Sequence, residues 1–175
     1  MRMIALTLAL TIAGAGMATA AAHKAPSAAA RIIGPDGKAL GNAKFIQTKK
    51  GVLIELDVKG IKPGAHGVHI HAVGSCDAKT GFASAGGHFS PVPRNHGFMD
   101  KHGAHAGDMT NQYADANGTM RASILNSDVT LRRGELSLFD KDGSSIVIHA
   151  DPDDYRSQPA GNAGGRVACG VINRL

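Results

Sequence analysis

The chain has 175 residues, a formal net charge of +5, nine histidines and only 4% aromatic residues. No long Lys/Arg run backs the charge and few rings are present to stack on bases, which argues against nucleic acid as a partner. A small anion would still feel the field of such a protein.

In chain order, the first segment reads as one to be removed. Arg2 gives a short positive start, Met3 to Met17 is apolar apart from Thr and Gly, and both Ala18-Thr19-Ala20 and Ala20-Ala21-Ala22 are small-residue cleavage sites. The apolar run is too short for a comfortable membrane span. We therefore read residues 1–22 as a cleaved secretory signal peptide and the mature form as exported and free of the membrane. Residues 23–30 read as a flexible lead-in of small residues. If cleavage follows Ala20, the mature chain begins Ala21-Ala22-His23, an amine, two amides and an imidazole suited to Cu(II); cleavage after Ala22 destroys that set. About 150 residues remain, enough for one domain with its own core. Cys76 and Cys169 are the only cysteines. Export places them in an oxidising compartment where one intramolecular pairing is open to them, with buried free thiols as the alternative.

From Arg31 onward the punctuation is that of an antiparallel β protein. Asp36-Gly37, Lys50-Gly51, Asn117-Gly118, Arg133-Gly134 and Asp142-Gly143 are turn signals between short alternating runs. Val52, Ile54, Leu56 and Val58 face one way, and Leu53, Glu55 and Asp57 the other, as on a half-buried strand. Met120, Ala122 and Ile124 repeat the pattern. Val129-Thr130-Leu131, Leu136-Ser137-Leu138 and Ile146-Val147-Ile148 read as further short strands. No run sustains a helical period, and this many short strands predict a sandwich or Greek-key barrel over residues 31–175. Ser75 to Ala116 and Asp151 to Ala168 break the rhythm, and loops this long in a compact domain are usually functional or disordered. The first loop holds His88, His96, His102, His105 and Asp108, while on the strand before it His69 and His71 share one face, half of a metal site.

Taken in order, Gly67-Val68-His69-Ile70-His71, Gly86-Gly87-His88-Phe89-Ser90-Pro91, His96-Gly97, His105-Ala106-Gly107-Asp108, Ile148-His149 and the run from Gly161-Asn162 to Arg166-Val167-Ala168-Cys169-Gly170 closely resemble the copper,zinc superoxide dismutases of the bacterial exported type. The resemblance covers essentially the whole mature chain and implies the periplasm as its compartment. It implies an eight-stranded Greek-key β-barrel with two long functional loops, carrying one copper ion and one zinc ion per subunit. It further implies copper held by His69, His71, His88 and His149, and zinc held by His88, His96, His105 and Asp108, so that His88 bridges the two. Asp153 would orient His69 and His96. A Cys76–Cys169 disulfide would steady the segment in which Arg166 guides the anion. The implied reaction is dismutation of superoxide to dioxygen and hydrogen peroxide by a redox-cycling copper, with Arg166 and His88 as catalytic residues and His88 gaining and returning a proton. Monomer and homodimer both remain open.

His102 reads as a solvated loop residue, because only His105 is followed by an Asp three residues on, and His66 reads as structural. Asp151 and Asp154 read as surface acids. Val68 stands where Phe or Leu is frequent in the family. Ala160 stands where Thr is common, implying a wider and less selective channel, and the second loop offers Arg156 and Gln158 but no lysine at its rim.

Overall fold

The computed structural model describes residues 25–175. The leader expected at 1–22 and the Ala21-Ala22-His23 set lie outside the described residues. Ten strands are formed: β1 (Ser27–Ile33), β2 (Ala39–Thr48), β3 (Gly51–Lys59), β4 (Gly64–His66), β5 (Val68–His71), β6 (Gln112–Ala114), β7 (Thr119–Asn126), β8 (Ser145–His149), β9 (Arg166–Val171) and β10 (Asn173–Arg174). No α-helix occurs among the described residues, and only two short 3-10 turns interrupt the first long loop.

The count exceeds eight because two segments are each broken by one residue. Gly67 separates β4 from β5 and Ile172 separates β9 from β10. At Gly67 the backbone leaves the ladder: its N–H donates to Asp151 O and its C=O accepts from His149 N–H. A Cβ there would stand 3.1 Å from His69 Cε1, so the residue that breaks the strand also lets the His69 ring lie close.

Hydrogen bonding runs in the order β4-β6-β7-β3-β2-β1-β9-β8-β5. Its two ends, β4 and β5, are consecutive in the chain, so the antiparallel sheet curls into a nearly closed barrel without long bare edges. The expected alternation fills the interior: Val52, Ile54, Leu56 and Val58 of β3 meet Met120 and Ile124 of β7 and Phe45 of β2 in one apolar cluster.

Three sequence expectations change. Ser27 to Ala30 belong to β1 rather than to a lead-in, with Ala28, Ala30 and Ile32 buried in alternation. Alanine carries little strand signal, and here its small side chain suits a tight barrel wall. Val129 to Leu131 and Leu136 to Leu138 do not form strands but meet in a single bridge, Thr130 to Ser137. The Gln47 side chain takes the place of a neighbouring strand, its Oε1 accepting from Leu131 N–H at 2.7 Å and Thr130 Oγ1 at 2.8 Å. The two long loops also end sooner than expected, at β6 and at Arg166, which opens β9.

Candidate metal centre

β5 is buried on both faces: Val68 and Ile70 enter the core, and His69 and His71 point the other way. It lies at the end of the sheet, so its outer edge is free to take the first loop. Ile70 N–H donates to Gly107 O and Phe89 N–H donates to Ile70 O. Gly107 is required here, since a Cβ would strike the Ile70 carbonyl oxygen. This pairing brings His88 beside His71, and β8 delivers His149 at its end.

Two groups of ligand atoms result. One nitrogen from each of His69, His71, His88 and His149 forms the first; His88, His96, His105 and Asp108 form the second, with the atoms of each group within 4.8 Å of one another. His102 is exposed and belongs to neither. His66 is also outside both, its ring nitrogens facing the carbonyls of His149 at 2.7 Å and Lys62 at 2.6 Å.

Outer partners decide which ring nitrogen is free to bind. His69 Nε2 and His96 Nε2 both face the Asp153 carboxylate, at 2.7 and 3.0 Å, so these nitrogens carry protons and Nδ1 is the atom each ring could offer to an ion. His71 Nδ1 donates instead to Gly86 O at 2.9 Å and His149 Nδ1 to Gly164 O at 3.3 Å, so the two Nε2 atoms, 3.3 Å apart, turn their lone pairs towards each other. His88 has no such outer partner: Nδ1 lies 2.7 Å from Asp108 Oδ1, and Nε2 is buried without a partner. His69 Nδ1, His88 Nε2 and His105 Nδ1 are buried with no hydrogen-bond partner. Buried polar atoms left this way are costly unless something else satisfies them. Four converging imidazole nitrogens, and three with a carboxylate oxygen, suit a copper ion and a tetrahedral zinc ion respectively. The residues fit both ions.

Asp108 is held from two sides. Its Oδ1 faces His88, His96 and His105, at 2.7, 3.1 and 3.3 Å, while Oδ2 accepts from Gly97 N–H and His105 N–H. Burial disfavours its charge, yet these donors win and hold its carboxyl far below the usual range.

The histidines titrate in opposite senses. Burial and neighbouring rings push His71 down to about 2 and His149 down to about 3. Burial pushes His88 down to about 4 despite Asp108. Burial also opposes charge on His96, but the carboxylates of Asp108 and Asp153 outweigh it and raise it to about 9. An imidazole kept neutral by burial gives stability above its unfolded value near 6.5, lost as the pH falls from there; His96 gives stability below 6.5, lost as the pH rises through about 9. Metal-free protein is therefore expected to be most stable near pH 6.5, its urea midpoint falling towards pH 4.5 and falling again as the pH rises to about 9. Equal midpoints at pH 7.5 and 4.5 would contradict this.

Two side-chain amides make contacts that the sequence does not indicate. Asn111 Oδ1 accepts from Asp153 N–H and its Nδ2 donates to Asp153 O, at 2.8 and 2.9 Å. Gln158 does the same to His96, Oε1 accepting from N–H at 2.8 Å and Nε2 donating to C=O at 2.9 Å. Neither carries a motif signal, because each partner is distant in sequence.

Arg166 donates to Phe82 O and Gly86 O, both at 2.6 Å. Since Gly86 O also accepts from His71, one carbonyl ties the guanidinium to a ring of the first group. A cavity of about 280 Å³ opens above them, lined by His71, His88, His149, Arg166, Pro159 and Ala160 among others. Cys76 and Cys169 are disulfide-bonded, which settles the choice left open by composition.

The barrel and its two linked groups of candidate ligands are those of an all-β metalloprotein with two adjoining metal sites. The family model for copper/zinc superoxide dismutase matches residues 39–172, and the chain belongs to that family. It is 50% identical over 145 residues to superoxide dismutase [Cu-Zn] 2 of Aquifex aeolicus, covering 82% of this chain and 84% of that one. It is 42% identical over 149 residues to superoxide dismutase [Cu-Zn] of Caulobacter vibrioides, covering 83% and 85%. A double mutant of a SOD-like protein from Bacillus subtilis has a similar crystal structure, with TM-score 0.79 and 37% identity over 81% of this chain and 94% of that one. The protein is an oxidoreductase that dismutes superoxide, with copper and zinc as its cofactors.

Proposed function

We propose that His69 Nδ1, His71 Nε2, His88 Nε2 and His149 Nε2 hold copper, and that His88, His96 and His105, each through Nδ1, and Asp108 hold zinc, one ion of each per subunit. The observation that carries this reading is His88, a member of both groups, whose Nδ1 lies 2.7 Å from Asp108 Oδ1 while its Nε2 is buried with no hydrogen-bond partner. When bound, the metals supply one-electron exchange on the copper side and a fixed positive charge on the zinc side. One superoxide leaves as dioxygen, a second takes up one electron and two protons, and hydrogen peroxide departs. His88 Nε2 holds one of those protons between the two halves of the cycle while Asp108 and the zinc side keep the ring in place. Asp153 keeps His69 and His96 presenting Nδ1.

Arg166 draws the anion into the cavity and keeps its charge throughout, because a guanidinium does not titrate near neutrality. We expect Arg166→Ala to leave metal content unchanged, to slow turnover roughly tenfold at low salt and to flatten its ionic-strength dependence. That size lies in the range of electrostatically steered association, for which this family is a standard example. Stopped-flow rates equal to wild type at low salt would remove Arg166 from this role. The leader-like residues 1–22 and the Cys76–Cys169 disulfide support export to the periplasm. Among the described residues no helix is long and apolar enough to cross a membrane. The functional reading is tested by metal analysis together with a superoxide dismutase assay on the purified mature protein. Copper and zinc bound at one each with rapid turnover are expected, and loaded protein without turnover would overturn it.

A further inference from the structure

Pro159 and Ala160 form one wall of the cavity that holds His71, His88, His149 and Arg166. Both belong to the second long loop, which has no regular structure between His149 and Arg166. Its hydrogen bonds therefore decide where that wall stands. Within the loop, Asp154 accepts from the backbone N–H groups of Arg156 and Ser157. Across to the first loop, Met99 N–H donates to Tyr155 O at 3.0 Å, and Gly97 passes so close that a Cβ there would strike the Tyr155 carbonyl. The wall itself is bonded within its loop, Ala160 O accepting from Ala163 N–H at 3.3 Å, and of the ties to the first loop the one nearest it is Gln158, which immediately precedes it. Much of the Gln158 side chain faces solvent, but its amide end closes a two-bond ring on the peptide of His96 and also donates to Arg156 O at 3.0 Å.

We propose that Gln158 is a positioning residue for the anion cavity, holding the Pro159–Ala160 wall in register with the metal centre by gripping the backbone of His96. The inference rests on the dismutase reading above and extends it to a residue with no metal or substrate contact of its own. The anchor is well chosen for rigidity. The His96 ring is fixed at both nitrogens, by Asp108 and Asp153, and the next N–H, that of Gly97, is bound to Asp108 Oδ2. A wall tied to this peptide shares its order. In the other direction, the amide restrains His96 against movement when zinc leaves.

Gln158→Met keeps the side-chain length and removes both bonds to His96 together with the one to Arg156 O, and Gln158→Glu keeps the acceptor for His96 N–H but loses the donor to both carbonyls. Copper- and zinc-loaded proteins would be titrated with azide, read by the Cu(II) absorption band, and zinc release would be followed with a chelator in excess. In Gln158→Met we expect azide affinity to fall and zinc release to quicken, each roughly three- to tenfold, the change that loss of about one net hydrogen bond produces. Gln158→Glu should lie between that variant and wild type. Wild-type azide affinity in Gln158→Met would overturn the proposal, as would a lowered melting temperature with azide affinity and zinc release both unchanged. Loaded wild-type protein without dismutase turnover would instead sink the functional reading, and the azide and zinc measurements would still judge Gln158.

Discussion

Asp153→Asn is expected to weaken metal retention at both ligand groups together, by about ten- to a hundredfold, the usual cost of losing an outer partner of a metal-bound imidazole. The carboxylate accepts from two ring N–H groups at once, Oδ2 from His69 Nε2 and Oδ1 from His96 Nε2. Asparagine keeps one acceptor and sets an NH2 against the other ring N–H. Two donors then face each other in a dry site, and one ring must turn or shift its proton to Nδ1, the nitrogen that should bind metal. The effect cannot stay on one side, because His69 belongs to the first group and His96 to the second. Competition titrations with a chelator, reading copper and zinc separately, check this. Loss of one metal with the other held at wild-type affinity would show that Asp153 does not join the two sites.

Much of this centre is legible in the chain because its parts are local. His69 and His71 share a face through strand alternation alone, and His105 and Asp108 meet across one short turn in which Asp108 N–H donates to His105 O. Alternation in β3 and β7 likewise located the core, as Val52, Ile54, Leu56 and Met120 attest. What stayed hidden depends on long-range meetings. Gln158 reaches His96 across 62 residues and Asn111 reaches Asp153 across 42, and in sequence either amide is only a polar loop residue. Gln47 acts across 84 residues to bond Leu131, which removes the need for the neighbouring strand that the apolar run Val129 to Leu131 suggested. Ala28 and Ala30 were hidden for a different reason. A residue with little strand preference gives no local signal, so only the closure of the barrel shows why β1 starts at Ser27.

Removing the disulfide by Cys76→Ala with Cys169→Ala is expected to cost about 4 to 5 kcal/mol of folding stability in the chain-entropy model, since the bond closes a loop of 93 residues. The urea midpoint of the metal-free protein, compared with wild type, measures this. A second effect follows from where the bond sits. Cys169 lies in β9, three residues after Arg166, and is fully buried in a small cluster with Phe82, Ala85 and Val147. Cys76 begins the stretch that runs through Phe82 to Gly86, whose carbonyls at Phe82 and Gly86 hold the Arg166 guanidinium. The disulfide thus pins to one strand both the arginine and the carbonyls that aim it. Gly86 O also accepts from His71 Nδ1, so loosening this stretch disturbs a first-group ring as well. The double variant, fully metal-loaded and assayed where it remains folded, should therefore turn over more slowly and with a flatter salt dependence, approaching Arg166→Ala. Lost stability with wild-type rate and wild-type salt dependence would confine the bond to restraining the unfolded chain and leave the aim of Arg166 to its two carbonyls alone.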